Sequence, residues 1–584
     1  ELNEVEVTDE RIDKNVTSIE MSVAKLDVKE IKKIPQLLGE TDIIRTLTLL
    51  PGITTVGEGA SGFNVRGGAA DQNLILLDEA PVYNSSHLFG FFSIFNADAV
   101  RDVKVYKGGI PANYGGRLSS VIDVRQKEGN NKEYHGTGGI GLLSSRFLFE
   151  GPIQKEKASF MFAARRSYLD LFLRMSNDPD INQNILYFYD LNGKVNWKIS
   201  NEDRIYLSGY FGRDVFGIQN LFGFDWGNGT GSLRWNHLFS EKLFSNLTAV
   251  YADYTYAVGT PKNQEENAFR LTSRIQDFHL KWDYNYYINN DNRLDFGIEG
   301  IYYRFSPGRV ETSFQEDPIE LQKEFGLEPS IYINHEYKPG IRWTLQYGLR
   351  YSSFYKIGSQ EVVLYEDSKY PNTEEITGTV DYEKGKIIRA FDGLQGLEPR
   401  LAVNYLLTDN QSLKFSFNRT RQYIQLISNT TSPTPVDLYR SAGTYIRPAT
   451  VYQYATGYFH NFNDNMFEAS VEVYYKDFLD LIDYRDGADL IFTEHVETEI
   501  LRGGIGRAYG VEFLLRKQTG KLTGWIGYTL SRSERKLKGP TRATTINNGN
   551  WYLSNWDKPH DVSIVANYQI SEKWGVGAIF IYQT

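Results

Sequence analysis

The larger, C-terminal part of the chain alternates apolar and polar residues over long stretches. In the segment DFHLKWDYNYYI, for example, Phe278, Leu280 and Trp282 alternate with His279 and Lys281. The same period of two runs through the segments RWTLQYGLRYS and MFEASVEVYYKDF. Because successive side chains of a β-strand point to opposite faces, this period predicts strands with one apolar and one charged face. We therefore expect most of the chain to form an antiparallel sheet.

Connections of two sizes join these strands alternately. The short turns fall at Ser200–Asp203, Ser240–Lys242, Asn289–Asn292, Lys338–Gly340, Thr408–Gln411, Asn463–Asn465, Gln518–Gly520 and Ser571–Glu572. The long polar loops fall near 216–227, 258–271, 306–327, 357–395, 424–447, 486–503 and 536–556. Tight turns on one side of the membrane and long loops on the other are typical of outer-membrane barrels. A soluble β-sandwich or propeller gives no reason for this alternation. The chain is therefore predicted to form a transmembrane antiparallel β-barrel.

The number of strands indicates the size of the barrel. About eighteen candidate strands precede Thr584, which is not the aromatic residue on which such barrels usually finish. Barrels of ~16–18 strands are open channels, whereas outer-membrane transporters of ~22 strands hold a domain in the lumen. A complete eighteen-strand barrel is one interpretation. We favour a barrel of about 22 strands, whose last two hairpins lie beyond this C-terminus.

Composition narrows the functional classes. The chain of 584 residues contains 40 Tyr, 34 Phe and 9 Trp but only 4 Met, a balance that suits strands and the belts of aromatic residues at membrane interfaces. Its formal net charge of −10 argues against a nucleic-acid partner, because phosphates attract basic surfaces. The chain has no Cys, so it forms no disulfide or thiolate metal site and suits an oxidising compartment.

The N-terminal part has a different pattern and divides in two. Residues 1–16 combine a short alternating segment with a charged linker, and residues 17–128 mix helix and strand signals. The pattern over 34–53 predicts a helix that is terminated by Pro51-Gly52. We expect 17–128 to form one compact α+β domain and 129–584 to form the barrel.

Three segments of this domain resemble the plug domain of TonB-dependent outer-membrane receptors, in the form common in Bacteroidota. They are LLGETDIIRTLTLLPGI, GFNVRGGAADQNLILLDEAPVY and VRDVKVYKGGIPANYGGRLSSVIDV, and they occur in the order of the family. The barrel segments LEPRLAVNY, AYGVEFLLRK and DKPHDVSIVANY also resemble strands of this family. The chain departs from many relatives at Asp78-Glu79, where they have Asp-Gly, and at 117–121, where they have a glycine-rich turn. Members of this kind often carry an Ig-like domain before the plug.

The resemblance assigns a role to the first residues of the chain. The segment LNEVEVT resembles the TonB box of the family, and its residues are Leu2, Asn3, Glu4, Val5, Glu6, Val7 and Thr8. An extended segment of this kind adds as a strand to the periplasmic domain of TonB through main-chain hydrogen bonds. An ordinary disordered terminus is the alternative interpretation.

The plug is expected to meet the charged, lumen-facing side chains of the barrel. The plug residues predicted at this interface are Arg66, Asp71, Lys104, Lys107 and Arg117. A polar, wet interface can be rearranged, whereas a fused apolar core cannot. The resemblance therefore implies a plug that moves.

The segment VYNSSHLFGFF is the best candidate for contact with a substrate. Tyr83, His87, Phe89 and Phe91 offer aromatic rings for stacking, and Asn84 offers hydrogen bonds. Packing between plug and barrel is the alternative role of these residues.

Other motifs give no catalytic, metal or cofactor site. GEGASG and GTGGIG have the spacing of a dinucleotide loop but not its position between a strand and a helix. The His residues lack the spacing of metal ligands, and Asp78-Glu79 has no nucleophile nearby. No catalytic residue, metal site or cofactor is predicted.

The resemblance implies active import of a scarce, bulky nutrient at the bacterial outer membrane. The expected partners are the periplasmic domain of TonB, outer-membrane lipid and lipopolysaccharide. The alternative is a receptor-type barrel that transports nothing and scaffolds a surface complex with a lipoprotein partner. A passive porin is disfavoured because the plug sequence is so complete. Glycans, peptides and metal chelates all remain open as cargo.

Overall fold

The computed structural model describes residues 13–35, 39–57, 62–218, 221–260, 268–313, 315–371, 373–388, 394–428, 437–488 and 495–584. The predicted TonB-coupling segment, residues 2–8, lies outside the described residues.

The N-terminal region folds into a small α+β unit, called the inner domain below. Its helices are α1 Lys14–Thr17, α2 Val28–Ile31 and α3 Ile43–Leu47. Its strands are β1 Val23–Asp27, β2 Ile53–Thr55, β3 Phe63–Val65, β4 Asn73–Leu77, β5 Ala80–Pro81, β6 Ser86–His87, β7 Phe92–Ser93, β8 Val100–Tyr106 and β9 Ser120–Gln126. Five of them form a mixed sheet in the order β1-β8-β9-β4-β5, in which β4 and β9 are parallel. Apolar side chains such as Ile43, Leu47, Val103 and Ile122 are buried together in its core.

The helix predicted over 34–53 is much shorter in the structure. Helix α3 begins after Asp42, whose Oδ1 accepts a hydrogen bond from the backbone N–H of Arg45 at 2.8 Å and so caps the helix. It ends at Leu47, before Pro51-Gly52, where Gly52 has the positive φ of 80° that helix terminators use. No helix among the described residues combines the length and the apolar character needed to cross a membrane.

Most of the remaining chain forms one sheet of 22 strands, called the wall below. Three short helices interrupt it: α4 Leu169–Arg174, α5 Pro179–Asn182 and α6 Val496–Glu499. The strands that follow the inner domain are β10 His135–Ile140, β11 Ser144–Gln154, β12 Ala158–Ser167, β13 Ile185–Lys198, β14 Asp203–Ile218, β15 Phe222–Ser240, β16 Leu243–Gly259, β17 Phe269–Asn289, β18 Asn292–Thr312, β19 Gln315–Glu320, β20 Glu324–Tyr337, β21 Trp343–Ser353, β22 Tyr355–Ile357, β23 Gln360–Tyr365, β24 Ile376–Tyr382, β25 Gln395–Thr408, β26 Gln411–Gln422, β27 Ile424–Ile427, β28 Leu438–Ser441, β29 Ala449–Phe462, β30 Phe467–Tyr484, β31 Ile500–Lys517, β32 Leu522–Lys536, β33 Tyr552–Leu553, β34 His560–Gln569 and β35 Gly575–Gln583.

The order of the wall follows the chain, with each strand antiparallel to its neighbours. Strands β23 and β24 pair only with each other, as do β27 and β28, and these two hairpins stand in the predicted long loops. Strands β10 and β35 are the edges of the sheet in the described residues. All eight predicted short turns join consecutive long strands of the wall, which confirms the threading that the sequence indicates.

The two faces of the wall have the polarity of a membrane barrel. On β17, Phe278 and Leu280 expose 48% and 59% of their surface, while Asp277 on the opposite face is fully buried. Apolar side chains that point outward around a buried polar face are the reverse of a soluble sheet. The wall curves around the inner domain, because residues of strands as far apart as β11, β13, β21, β32 and β34 contact it.

Candidate functional site: the interface between the inner domain and the wall

A buried ion-pair cluster joins the inner domain to strands β30 and β31. Arg66 follows β3 directly, and its Nε and Nη2 donate to the two carboxylate oxygens of Glu512 at 2.7 and 2.9 Å. Nη2 also donates to Glu472 Oε2 at 2.9 Å, and Nη1 donates to Ser22 Oγ at 2.8 Å. The Arg66 side chain has no solvent exposure. Burial disfavours the guanidinium charge, but Glu512 outweighs this effect and raises the pKa of Arg66.

Lys107 brings a second cation to the same carboxylate. Its Nζ donates to Glu512 Oε2 at 2.6 Å and to the carbonyl oxygen of Pro51 at 2.6 Å. Glu512 therefore faces two cations from different loops of the inner domain. A bidentate guanidinium pair with an added ammonium fixes orientation as well as charge.

Gly52 lies against this cluster, and a side chain here would displace the Glu512 carboxylate. A Cβ built on it would lie 2.0 Å from Glu512 Oε1, and its φ of 80° disfavours any other residue. Its backbone N–H donates to Thr529 Oγ1 of β32 at 2.8 Å. The predicted helix terminator is thus also a point of contact with the wall.

The other three residues predicted at the interface have different surroundings. Asp71 Oδ2 accepts a hydrogen bond from Gln422 Nε2 of β26 at 3.0 Å. Lys104 pairs with Glu20, which belongs to the inner domain. Arg117 donates to the carbonyl oxygen of Gly116 at 2.9 Å, and its guanidinium faces a cavity beside the wall.

His87 is held between two strands of the wall. Its Nδ1 lies 2.6 Å from Asp214 Oδ2 of β14, and its Nε2 lies 3.4 Å from Asp190 Oδ2 of β13. The ring stacks on Phe188, with the centroids 4.2 Å apart. Burial opposes the imidazolium, but Asp214 and Asp190 prevail and raise the pKa of His87.

The contact between His87 and the wall should depend on pH. Because the folded pKa is raised, protonation of His87 stabilises the folded state fully below the ordinary imidazole pKa of about 6.5. This stabilisation is lost as the pH rises through the pKa of His87 in the folded state. It amounts to ~1.4 kcal/mol for each tenfold difference in proton affinity between the folded and the unfolded state. Hydrogen exchange of the Leu88 amide, which donates to Asp214 at 2.8 Å, measures it. We expect His87→Gln to remove the pH dependence and His135→Gln, at an exposed position, to keep it. A dependence that survives in His87→Gln would contradict this assignment.

The remaining residues predicted to contact substrate have different surroundings. The Tyr83 hydroxyl bonds to Asp277 of β17. Asn84 accepts hydrogen bonds at 3.0 Å from the N–H and hydroxyl of Ser86. Phe89 packs on Trp226 of β15 with ring centroids 4.7 Å apart, and Phe91 is 54% exposed.

Several wall residues of this interface carry no individual signal in the sequence. Lys476 of β30 is fully buried, and its Nζ donates to the carbonyl of Val65 at 3.1 Å and to Ser119 Oγ at 2.9 Å. Arg400 of β25 donates to the carbonyl of Ile110 at 3.0 Å. The alternation of their strands assigns such residues to the inner face, but it does not say which of them meet the inner domain. Among the described residues, no group of three or more His, Asp or Glu could hold a metal ion.

Two family models match the chain. The model described as "TonB dependent receptor-like, beta-barrel" matches residues 164–584, and "TonB-dependent Receptor Plug Domain" matches residues 15–121. No curated protein sequence gives a significant match.

Solved structures share the fold at low sequence identity. The siderophore receptor PirA from Acinetobacter baumannii superposes with a TM-score of 0.67 at 15% identity, over 97% of this chain and 87% of that one. The copper transporter OprC gives 0.69 at 12% identity, over 96% and 86%. The haemophore receptor HasR from Serratia marcescens, in complex with HasA and heme, gives 0.65 at 14% identity, over 96% and 91%. All three superpositions cover both the inner domain and the wall.

Proposed function

Because the chain belongs to the TonB-dependent receptor family, an outer-membrane family of barrels with an internal plug, we propose that it actively imports a scarce nutrient. In this proposal the inner domain is the plug, and force applied through residues 2–8 rearranges it. The observation that carries the proposal is the ion-pair cluster between plug and wall, in which Arg66 and Lys107 contact Glu512. A plug held by polar side chains, and not by a fused apolar core, can be rearranged in part when it is pulled, while this cluster fixes its orientation.

The cargo is open within three chemical classes: metal chelates, glycans and peptides. The similar structures bear the names of siderophore, copper and heme proteins, but at 12–15% identity they support the shared fold and not a shared cargo. The departure from many relatives at Asp78-Glu79 fits a subgroup of the family. We propose that this subgroup is the form common in Bacteroidota. Lipid and lipopolysaccharide are the proposed contacts of the outward apolar face. A non-transporting scaffold that binds a surface lipoprotein is the second candidate.

Proline substitutions in the N-terminal segment test the energy coupling. Consecutive backbone N–H groups of an added strand point to opposite sides, so only alternate residues donate to the partner. Proline removes one donor. Val5→Pro and Glu6→Pro should therefore differ in affinity for the periplasmic domain of TonB by about tenfold, since ~1.4 kcal/mol corresponds to a factor of ten. Titration calorimetry with the purified full-length receptor measures this difference.

The deletion of residues 2–8 serves as the reference for complete loss of binding. Equal weakening by both proline variants would indicate a contact without strand pairing. No binding by the unaltered receptor would favour the scaffold role.

A further inference from the structure

A large cavity separates the inner domain from one side of the wall. It lies against strands β15 to β21 and has a volume of about 780 Å³. This volume falls in the range of ~300–1,000 Å³ that is typical of pockets for drug-sized ligands. Arg293 and Lys338 line it next to the short turns, which face the periplasm in barrels of this type. Tyr83 and Tyr303 line it at the other end, well along β18 from its short turn. The cavity therefore extends from the periplasmic end of the wall to Tyr83.

Charged side chains line the cavity in neutralised sets. Glu79 of the inner domain pairs with Arg125 at 3.0 Å and with Arg234 of β15 at 3.1 Å. Within the wall, Arg350 pairs with Glu299 at 2.7 Å. These pairs leave a hydrophilic surface without a strong field of one sign, which suits the passage of hydrophilic solutes.

Tyrosine hydroxyls close the upper end of the cavity. Tyr83 bonds to Asp277 of β17, and Tyr303 of β18 donates to Glu328 of β20 at 3.0 Å. Tyr439 of the β27–β28 hairpin donates to the carbonyl oxygen of Tyr83 at 3.2 Å, with the two rings 5.0 Å apart. Arg117 lies beside these three hydroxyls. The Tyr83 side chain is thus held by the wall and by an extracellular hairpin at once.

A second cavity also borders Tyr83. It has a volume of about 50 Å³ and is lined by Asn84, Asp71, Tyr254 and Tyr439 as well as Tyr83. Tyr83 therefore borders both cavities.

The inner domain is anchored to the strands outside β15 to β21, while Arg234 of β15 and Arg350 of β21 contact it at the two edges of the cavity. Lys194 of β13 contacts Asp78 at 3.1 Å, Asn418 of β26 donates to the carbonyl of Ile110 at 2.8 Å, and β30 and β31 hold the Arg66 cluster. Along β17 the described polar contacts with the inner domain are Tyr83–Asp277 at the top and Lys281 Nζ to the carbonyl of Asn113, at 3.2 Å, below it.

We propose that Tyr83 is the gate of a solute route that runs between the plug and strands β15 to β21, while the plug stays anchored to the rest of the wall. The proposal rests on the proposed import function and names its path. Opening requires the Tyr83–Asp277 bond to break and the ring to leave Tyr439. The route then joins the two cavities without removal of the plug.

Ion conductance of the full-length receptor in planar bilayers, with KCl as the probe, tests the gate. We expect the unaltered receptor to stay near the bilayer baseline and Tyr83→Ala to raise the conductance at least tenfold. Phe89→Ala is the matched control, because it removes a ring of the same segment that packs on Trp226 and lines neither cavity. Asp277→Asn weakens the same bond without creating a cavity and should give brief openings. Equal leaks from Tyr83→Ala and Phe89→Ala, or no leak from Tyr83→Ala and Asp277→Asn, would overturn the proposal.

A disulfide distinguishes the route from loss of the plug. A Cβ built on Gly109 of the inner domain would lie 3.8 Å from the Cβ of Ser416 on β26, a separation that suits a disulfide. Gly109 has a φ of 58°, which a cysteine adopts at a cost, so the reduced double variant is the reference for this strain. The chain has no other Cys, so Gly109→Cys/Ser416→Cys tethers the plug on its anchored side. The conductance of Tyr83→Ala should persist when this pair is oxidised. A leak that disappears on oxidation and returns on reduction would show that the plug leaves the barrel. TonB is not present in this experiment, so the gate and the energy coupling can fail separately.

Discussion

Replacing Glu512 by glutamine should destabilise the attachment of the plug to the wall by about 3–5 kcal/mol. The carboxylate of Glu512 is the shared partner of Arg66 and Lys107, and all three side chains are almost fully buried. A neutral amide leaves two buried cations with reduced compensation, and breaking a buried pair from one side costs more than the pair itself contributes. Hydrogen exchange of the amides of β3 should accelerate a hundredfold or more, because each factor of ten corresponds to ~1.4 kcal/mol. Amides of β17, remote from the cluster, should keep their protection.

An exposed ion pair in the same interface provides the control. Glu30 of α2 pairs with Arg516 of β31 at 2.6 Å, but its side chain is 47% exposed. Exposed pairs contribute about 0–1 kcal/mol, so Glu30→Gln should change the exchange of β3 less than tenfold. Equal effects of Glu512→Gln and Glu30→Gln would show that burial of the cluster does not hold the plug.

A charge on the outward face of the wall should have the second large effect. Leu280 lies at the middle of β17 and exposes 59% of its surface, which in the membrane faces lipid. An arginine near the midplane of a barrel costs about 2–4 kcal/mol. Leu280→Arg should therefore reduce the free energy of folding into lipid vesicles by this amount, as measured by urea titration of the heat-modifiable folded form.

The neighbouring residue supplies a matched control for this substitution. His279 points to the other face of β17 and lines the large cavity, where an arginine keeps access to water. His279→Arg should cost less than about 1 kcal/mol, the range of substitutions away from packed or lipid-facing positions. If both variants were equally destabilised, the two faces of the strand would not differ in their surroundings.

Regular local patterns in the sequence predicted the wall well. The eight short turns fall between long strands as expected, and the alternation on β17 places Leu280 outward and Asp277 inward. Both features depend only on neighbouring residues, because a strand has a period of two and a tight turn needs a few permissive residues. The helix expected over 34–53 was too long, since apolar spacing alone does not show where a backbone turns back. In the structure the Asp42 cap sets its start, and the helix already ends at Leu47, before Pro51-Gly52.

Local sequence patterns did not determine which residues of the plug and the wall pair with each other. The sequence marks Arg66 as a charged plug residue but cannot select its partners, which lie 446 positions away at Glu512 and 406 positions away at Glu472. Those partners depend on the register of β30 against β31 and on the rotation of the plug within the wall. The same holds for His87, which needs β13 and β14 side by side to meet Asp190 and Asp214.

By itself, the sequence determined that this chain is a membrane barrel with a plug, since strand period, turn size and plug motifs are local properties. Tertiary structure alone decided where the plug is anchored and where it stands away from the wall. Glu512 and Asp277 are both acidic residues in alternating strands, yet one closes a buried ion-pair cluster and the other holds Tyr83 beside two cavities. That difference arises because contacts between plug and wall join residues hundreds of positions apart, and only the folded chain brings them within hydrogen-bond distance.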